Sequence, residues 1–308
     1  MKDHQLKAWL RLVETGSIRA AARSLHLSQA AVTKAIRELE AEVDAQLVLR
    51  SSRGIEFTEC GRQLTVRARL AQEQLALALQ DIRMLQGGKQ ARVSVAVTPL
   101  VFLGVLPAVV GAFRQQMPLA QLKLFEGLIP QVLPLLRDGA ADFAVAGLVE
   151  AALDPDFAFE VLHSIEMVVL CRRGHPLQHA TEWRDMVDAE WLVHLATGSH
   201  HTHLLAHLRQ RGQPLPTRMI EVNSFGISWG LLTRSDALMI GPIGMLDLPP
   251  YGDMVARVPL QLALPPLQLG ILTPRGVPLS LAASRLAELF RKYLVRPAPV
   301  RAKRRVMR

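Results

Sequence analysis

Thr33, Lys34 and Arg37 place a hydroxyl, an ammonium and a guanidinium within five consecutive positions, and the small Ala30 precedes them by about one helical turn. On a helix these four share a face, where a small side chain allows close approach and the polar groups can meet the base edges and phosphates of a nucleic-acid duplex. Val32, Ile36, Leu39 and Val43, spaced by four, three and four residues, fall on the other face and turn it toward a core. Glu38, Glu40 and Glu42 load the far end with charge that phosphates repel. The amino-terminal half, with Ser28 and Gln29 at its start, is therefore the part expected to enter a major groove.

Residues 17–37 read as two short helices around a tight turn. Gly16 can close a preceding helix and Ser17 can cap the next, over residues 18–25. His26 and Leu27 make the turn, and Ser28 caps a second helix over residues 29–43. Apolar positions at Leu6, Trp9, Leu10, Leu12 and Val13 predict a helix packed behind this pair. After it, residues 47–50 and 55–58 flank a turn containing Gly54, which predicts a two-stranded wing carrying Arg50 and Arg53 toward phosphate or minor groove. Thr58 can cap a long helix that stops at Gly87 and Gly88. Along it Leu64, Ala68, Ala71, Leu75, Ala78, Ile82 and Leu85 recur at spacings of four and three, the heptad of a helix that pairs with another helix.

At these residues the chain resembles the LysR-type transcriptional regulators. The resemblance rests on Gly16 and Ser17, Ala21 and Ala22, Leu25, Ser28 and Gln29, Val32 and Thr33, Leu39 and Glu40, and continues through Leu47, Arg50, Thr58 and Gly61. Departures are Ala30 where the family usually has proline, Asp44 where it has glycine and Val48 where it has phenylalanine. Aspartate tolerates a left-handed backbone better than most residues. The resemblance implies a DNA-contacting set of Ser17, Ser28, Gln29, Ala30, Thr33, Lys34, Arg37, Arg50 and Arg53. It also implies a homodimer, commonly assembled as a dimer of dimers, a double-stranded operator as partner and a small-molecule effector, and it leaves room for RNA polymerase as a further partner.

The chain has 308 residues, half of them apolar, and a formal net charge of +9. Residues 1–89 hold 14 basic and 10 acidic side chains, residues 90–295 hold 16 and 17, and residues 296–308 hold six basic and none acidic. Positive charge thus gathers at the two ends, which fits a polyanion partner for the amino-terminal part. The basic tail, with two prolines and little to bury, is expected to be disordered. Two distant cysteines, Cys60 and Cys171, offer no disulfide framework, and the amino terminus lacks the apolar run of a signal peptide. Prolines interrupt the two uncharged stretches, 93–113 and 258–274, so neither reads as a spanning helix. A cytoplasmic location is expected.

From residue 92 strands alternate with helices, which predicts parallel sheet with helices on its faces. The fold class is α/β: a winged helix-turn-helix over 1–58, a linker and dimerisation helix over 59–88 and a two-lobed domain over 89–295. Lobe I takes 90–163 and 268–295, and lobe II takes 164–267. By resemblance this is the family's effector domain, similar to the periplasmic binding proteins. Ligands in such sheets bind where loops leave the carboxyl ends of strands, near helix amino termini. Those positions are Thr98, Gly127, Leu128, Gly147, Thr197, Ser199, His200, Thr202, Asn223, Ser224 and Phe225. With His200 or His201 supplying charge, they suggest an organic anion, although any single one is also an ordinary helix cap.

Two other chemistries compete. His194, His200, His201, His203 and His207 crowd one segment, but no cysteine or acid lies between Glu190 and Glu221 to complete a metal site, and no metal or other cofactor is expected. Gly226, Ser228 and Gly230 match the G-x-S-x-G pattern of a hydrolase. Ser228 has no histidine after it in the chain, so hydrolysis stays a lesser alternative, and no enzyme is expected. A DNA-binding protein without an effector would share the first 90 residues.

Overall fold

The computed structural model describes residues 1–51, 54–88, 90–149, 153–195 and 199–295; of Arg50, Ser51, Gly54 and Val295 only the backbone is described. The chain forms two compact units, one of Met1–Ile82 with Arg137–Gly139 and one of the remainder.

The first unit opens with α1 (Asp3–Thr15), α2 (Ile18–Leu25) and α3 (Gln29–Val43). Gly16 ends α1 in the left-handed conformation at φ 64°, and His26 and Asp44 end the next two helices at φ 54° and 49°. Asp44 thus performs the turn that glycine would otherwise supply. Ser28 caps α3 by accepting the Ala31 N–H at 3.1 Å. Ser17 holds the N-cap position of α2 with extended backbone, but its side chain makes no cap hydrogen bond, contrary to the expected role. Trp9, Leu12, Ala21, Val32, Ile36 and Leu39 are almost fully buried together.

Strands β1 (Val48–Ser51) and β2 (Gly54–Phe57) pair antiparallel as the wing, and α4 (Glu59–Leu85) follows. Val48 lies in the core at 4% exposure, so the smaller side chain still seats the wing. Thr58 joins wing to helix: its hydroxyl donates to the Gln46 carbonyl at 2.7 Å and accepts the Gly61 N–H at 3.0 Å. A methyl group at Gly61 would run into the Leu47 carbonyl, so the glycine is what lets α4 lie on the wing.

The second unit holds two five-stranded sheets. Lobe I has β3 (Arg92–Val97), β4 (Gln121–Glu126), β5 (Phe143–Leu148), β6 (Phe157–Ile165) and β12 (Leu267–Pro274) in the order β4-β3-β5-β12-β6. Lobe II has β7 (Met167–Arg172), β8 (Glu190–Val193), β9 (Arg218–Glu221), β10 (Ala237–Pro242) and β11 (Val255–Arg257) in the order β11-β7-β10-β8-β9. The sheets are mixed, not parallel throughout: β12 runs antiparallel to β5 and β6, and β7 antiparallel to β10 and β11.

Helices α5 (Pro99–Gly104), α6 (Leu106–Gln116), α7 (Ile129–Arg137) and α11 (Leu281–Val295) accompany lobe I. Lobe II carries α8 (His200–Gln210), α9 (Phe225–Arg234) and the short α10 (Tyr251–Met254). The helix expected near Trp183 is a single 3₁₀ turn, Trp183–Met186, and the one expected to end near Gln116 is broken into α5 and α6. Pro107 sits in the first turn of α6, where its missing N–H has no intrahelical partner to lose. Arg291 on α11 clamps Glu160 on β6 with two guanidinium nitrogens at 2.8 Å.

Candidate functional site

On the first unit, Ser28, Gln29, Ala30, Ala31, Lys34 and Arg37 are all exposed, while Val32, Ile36 and Leu39 behind them are sealed into the core. Thr33 and Ser17 are half-buried. The helix therefore projects its amino-terminal half and its basic face outward. The three glutamates do more than repel. Glu38 lies 3.8 Å from Lys34 and accepts from Gln5 at 3.4 Å, and Glu42 takes the amino-terminal ammonium. Glu40 accepts the N–H groups of Leu47 and Val48 at 2.8 and 3.2 Å, fixing the entry of the wing. Arg53 and the side chain of Arg50 lie outside the described residues.

The heptad on α4 divides. Leu64 and Ala68 pack on their own unit's core. Ala71 and Ala78 are exposed, as are Leu75, Ile82 and Leu85, at 65%, 51% and 77%; Leu79, off the heptad, joins them at 56%. The apolar stripe left open thus starts after Ala68.

In the second unit a cavity of about 150 Å³ lies between the two sheets' helix-bearing ends. Lobe I contributes Thr98, Leu100, Leu103, Leu128, Gly147 and Leu267, and lobe II contributes Met167, His194, Ser199, His200, His201, Phe225, Ser228 and Met239 through Pro242. Phe102 of lobe I and Phe225 of lobe II meet edge-to-face, with centroids 5.7 Å apart. Of the residues expected from sequence, Thr98, Leu128, Gly147, Ser199, His200 and Phe225 come together here. Gly127, Thr202, Asn223 and Ser224 do not line it, the last three being exposed; Thr197 lies outside the described residues.

Polar groups around the cavity are mostly committed. The Ser199 hydroxyl donates to the His194 carbonyl and accepts the Thr202 N–H at 3.2 Å, so Ser199 and Thr202 serve as the start of α8. Ser228 donates to the Ser224 carbonyl at 2.9 Å within α9, a mid-helix hydroxyl and not one raised on a sharp turn. Thr98 Oγ1, His200 Nδ1 and His201 Nε2 are buried without hydrogen-bond partners.

The histidines do not supply the expected charge. Burial holds His194, His200 and His201 below their ordinary values, His201 at about 3, and a neighbouring imidazole opposes protonation of His200 and His201 further. Hydrogen bonds to Val222 and Pro265 backbone work the other way for His194 and His200 but are outweighed. Among the described residues no group of three His, Cys, Asp or Glu is arranged to hold a metal ion. Cys60 is exposed and Cys171 buried, with burial pushing the latter's thiol up to about 11 against the influence of Arg172. Among the described residues no helix is long and apolar enough to cross a membrane.

Sequence reasoning missed Leu100, Leu103, Met167, Met239 through Pro242 and Leu267 as lining residues, and it singled out His194 and Ser228 only for other chemistries. Only Ser228 left a signal, three residues after Phe225 and so on the same helical face. Leu100 and Leu103 come from α5, and the others arrive through strand ends and the return of β12.

Residues 4–62 match the family described as bacterial regulatory helix-turn-helix protein, lysR family, and residues 86–295 match the LysR substrate binding domain. The chain belongs to the LysR family. Among LysR-family relatives, it is 30% identical over 296 residues to the HTH-type transcriptional regulator GalR of Pseudomonas putida, covering 96% of this chain and 74% of that one. It is 24% identical over 293 residues to the HTH-type transcriptional regulator TdcA of Escherichia coli, covering 95% and 93%. A full-length OxyR variant from Pseudomonas aeruginosa shares the fold with a TM-score of 0.67 at 19% identity, covering 94% of this chain and 95% of that one.

Proposed function

We propose that this LysR-family transcriptional regulator reads a dyad operator through the amino-terminal half of α3, with Ser28, Gln29, Ala30, Thr33, Lys34 and Arg37 as its contact set and Ser17, Arg50 and Arg53 on adjoining backbone. The observation that carries this is the exposure of that basic, small-residue face directly above a core that fixes the helix. Phosphate contacts set register and base contacts set sequence, so one rigid helix presenting both groups suits specific recognition. The exposed stripe of Leu75, Ala78, Ile82 and Leu85 is the surface through which two chains pair. The first domain is assigned residues 1–58, the pairing helix 59–88 and the effector domain 89–295, with its ligand in the Thr98–His200 cavity. Effector binding acts by favouring one arrangement of the two lobes. Work on a DNA operator supports a cytoplasmic location.

A catalytic role for Ser228 is set aside, because its hydroxyl is spent on the Ser224 carbonyl inside a helix. Selection of binding sites from random duplexes at two salt concentrations tests the main reading. It should return one dyad sequence whose binding survives the higher salt. Recovery of unselected, salt-labile DNA alone would overturn it.

A further inference from the structure

We propose that the effector of the Thr98–His200 cavity is an uncharged molecule of about one ring's size that presents a hydrogen-bond donor beside an acceptor, and not an organic anion. This rests on the assignment of that cavity as the effector site and specifies its chemistry.

The first support is the lining. Among its described residues there is no lysine, arginine, aspartate or glutamate. A carboxylate or sulfonate placed there would lose its water and gain no charged side chain to offset that loss.

The second support is the tautomer of His200. Its Nε2 lies 2.9 Å from the Pro265 carbonyl, and a carbonyl only accepts, so Nε2 carries the proton. In the neutral ring Nδ1 is then a bare lone pair, and it is buried with no partner. A lone pair welcomes an N–H or O–H and repels a carboxylate oxygen. Protonating Nδ1 would relieve that repulsion, but burial and the neighbouring imidazole oppose it. Thr98 Oγ1, also buried and unpartnered, can donate to a carbonyl or hydroxyl oxygen. Of the three orphan groups on lining residues, His200 Nδ1 as acceptor and Thr98 Oγ1 as donor match a primary amide or an alcohol, and His201 Nε2 is a third polar atom left for the ligand. The amino ends of α5 and α8 do not demand a full charge, since a carbonyl dipole also benefits from a helix amino terminus.

Size is the third support. A cavity of about 150 Å³ matches the volume that holds a single benzene ring.

Benzamide and benzoate have the same shape and differ in charge and in the donor, so they serve as probes. Their binding to the full-length protein is titrated by calorimetry and ligand-observed NMR at pH 7.5, for wild type, Thr98→Val and Leu128→Trp, with urea melts confirming that each variant is folded. Benzamide is expected to bind wild type at least about ten-fold more tightly than benzoate, to weaken about five-fold in Thr98→Val and to be lost in Leu128→Trp. Equal or tighter binding of benzoate, still abolished by Leu128→Trp, would overturn the ligand class and leave the site standing. Absence of binding by both probes, or binding indifferent to Leu128→Trp, would overturn the site assignment and the ligand class together. The near-isosteric Thr98→Val keeps the test valid should the larger tryptophan disturb the fold.

Discussion

His200 Nε2 donates to the Pro265 carbonyl across 2.9 Å, so the first residue of α8 is tied to the segment through which the chain passes from β11 to β12. The bond joins a helix of lobe II to a crossing between lobes, and it fixes the neutral ring in one tautomer. Acid that charges this imidazole cluster therefore strikes the element connecting the lobes.

The pH dependence of stability follows. In the unfolded chain His194, His200 and His201 take up protons near pH 6.5, whereas burial keeps them neutral in the fold to lower pH, His201 down to about 3. Below pH 6.5 the unfolded state binds more protons, so stability is complete above that value and falls as pH drops. His201 alone should contribute about 1.4 kcal/mol per pH unit between pH 6 and 4. Urea midpoints of wild type and His201→Phe across that range check this: the variant's profile should be flatter, and identical slopes would remove His201 from the account.

Trp9 and Thr65 lock α1 to α4, the indole N–H donating to the hydroxyl at 3.1 Å while that hydroxyl donates to the Gly61 carbonyl at 2.8 Å. Thr65→Val leaves a buried indole N–H unsatisfied, and thermal melts should show a loss of about 1–3 kcal/mol in the first unit. Thr65→Ser should recover most of it.

Lys34→Ala and Arg37→Ala should each weaken operator binding and reduce the salt slope of log K by about one. Circular dichroism should be unchanged, because both side chains are exposed. Wild-type affinity in both variants would remove α3's basic face from the contact surface.

Leu75→Glu, and separately Leu79→Glu, should lower the mass seen by sedimentation, since each puts a charge on the open apolar stripe of α4. Ala68→Glu should instead unfold the first unit, because Ala68 belongs to its core at 3% exposure. An unchanged mass for both leucine variants would place pairing on another surface.

Much of the first unit was legible because its signals are local. Val32, Ile36 and Leu39 announce the buried face, Ser28 the cap and Asp44 the left-handed stop, each within a few residues of what it acts on. The heptad was legible only as a period. Which of its members face another chain depends on where the unit's own core ends, and Leu64 and Ala68 are claimed by Trp9 and its neighbours. In the second unit the strands that pair across long separations were harder. β6 alternates weakly, with exposed Glu160 and Val161 at its centre, and β11 has three residues. The cavity's loops were partly legible, since Thr98, Ser199 and Phe225 mark helix starts. Its electrostatics were not, because whether a histidine is charged depends on burial that no spacing encodes.

Ile165 and Leu267 are register partners on β6 and β12, so residues 166–266 leave lobe I and return to it at neighbouring positions. In polymer terms lobe II is a loop whose ends one strand pair already holds together, and lengthening it adds little closure entropy to the host. The same doorway leaves two adjacent strands as the only covalent routes between lobes among the described residues, so any turning of one lobe against the other is confined to a narrow strip, like a door on two hinges set in one jamb.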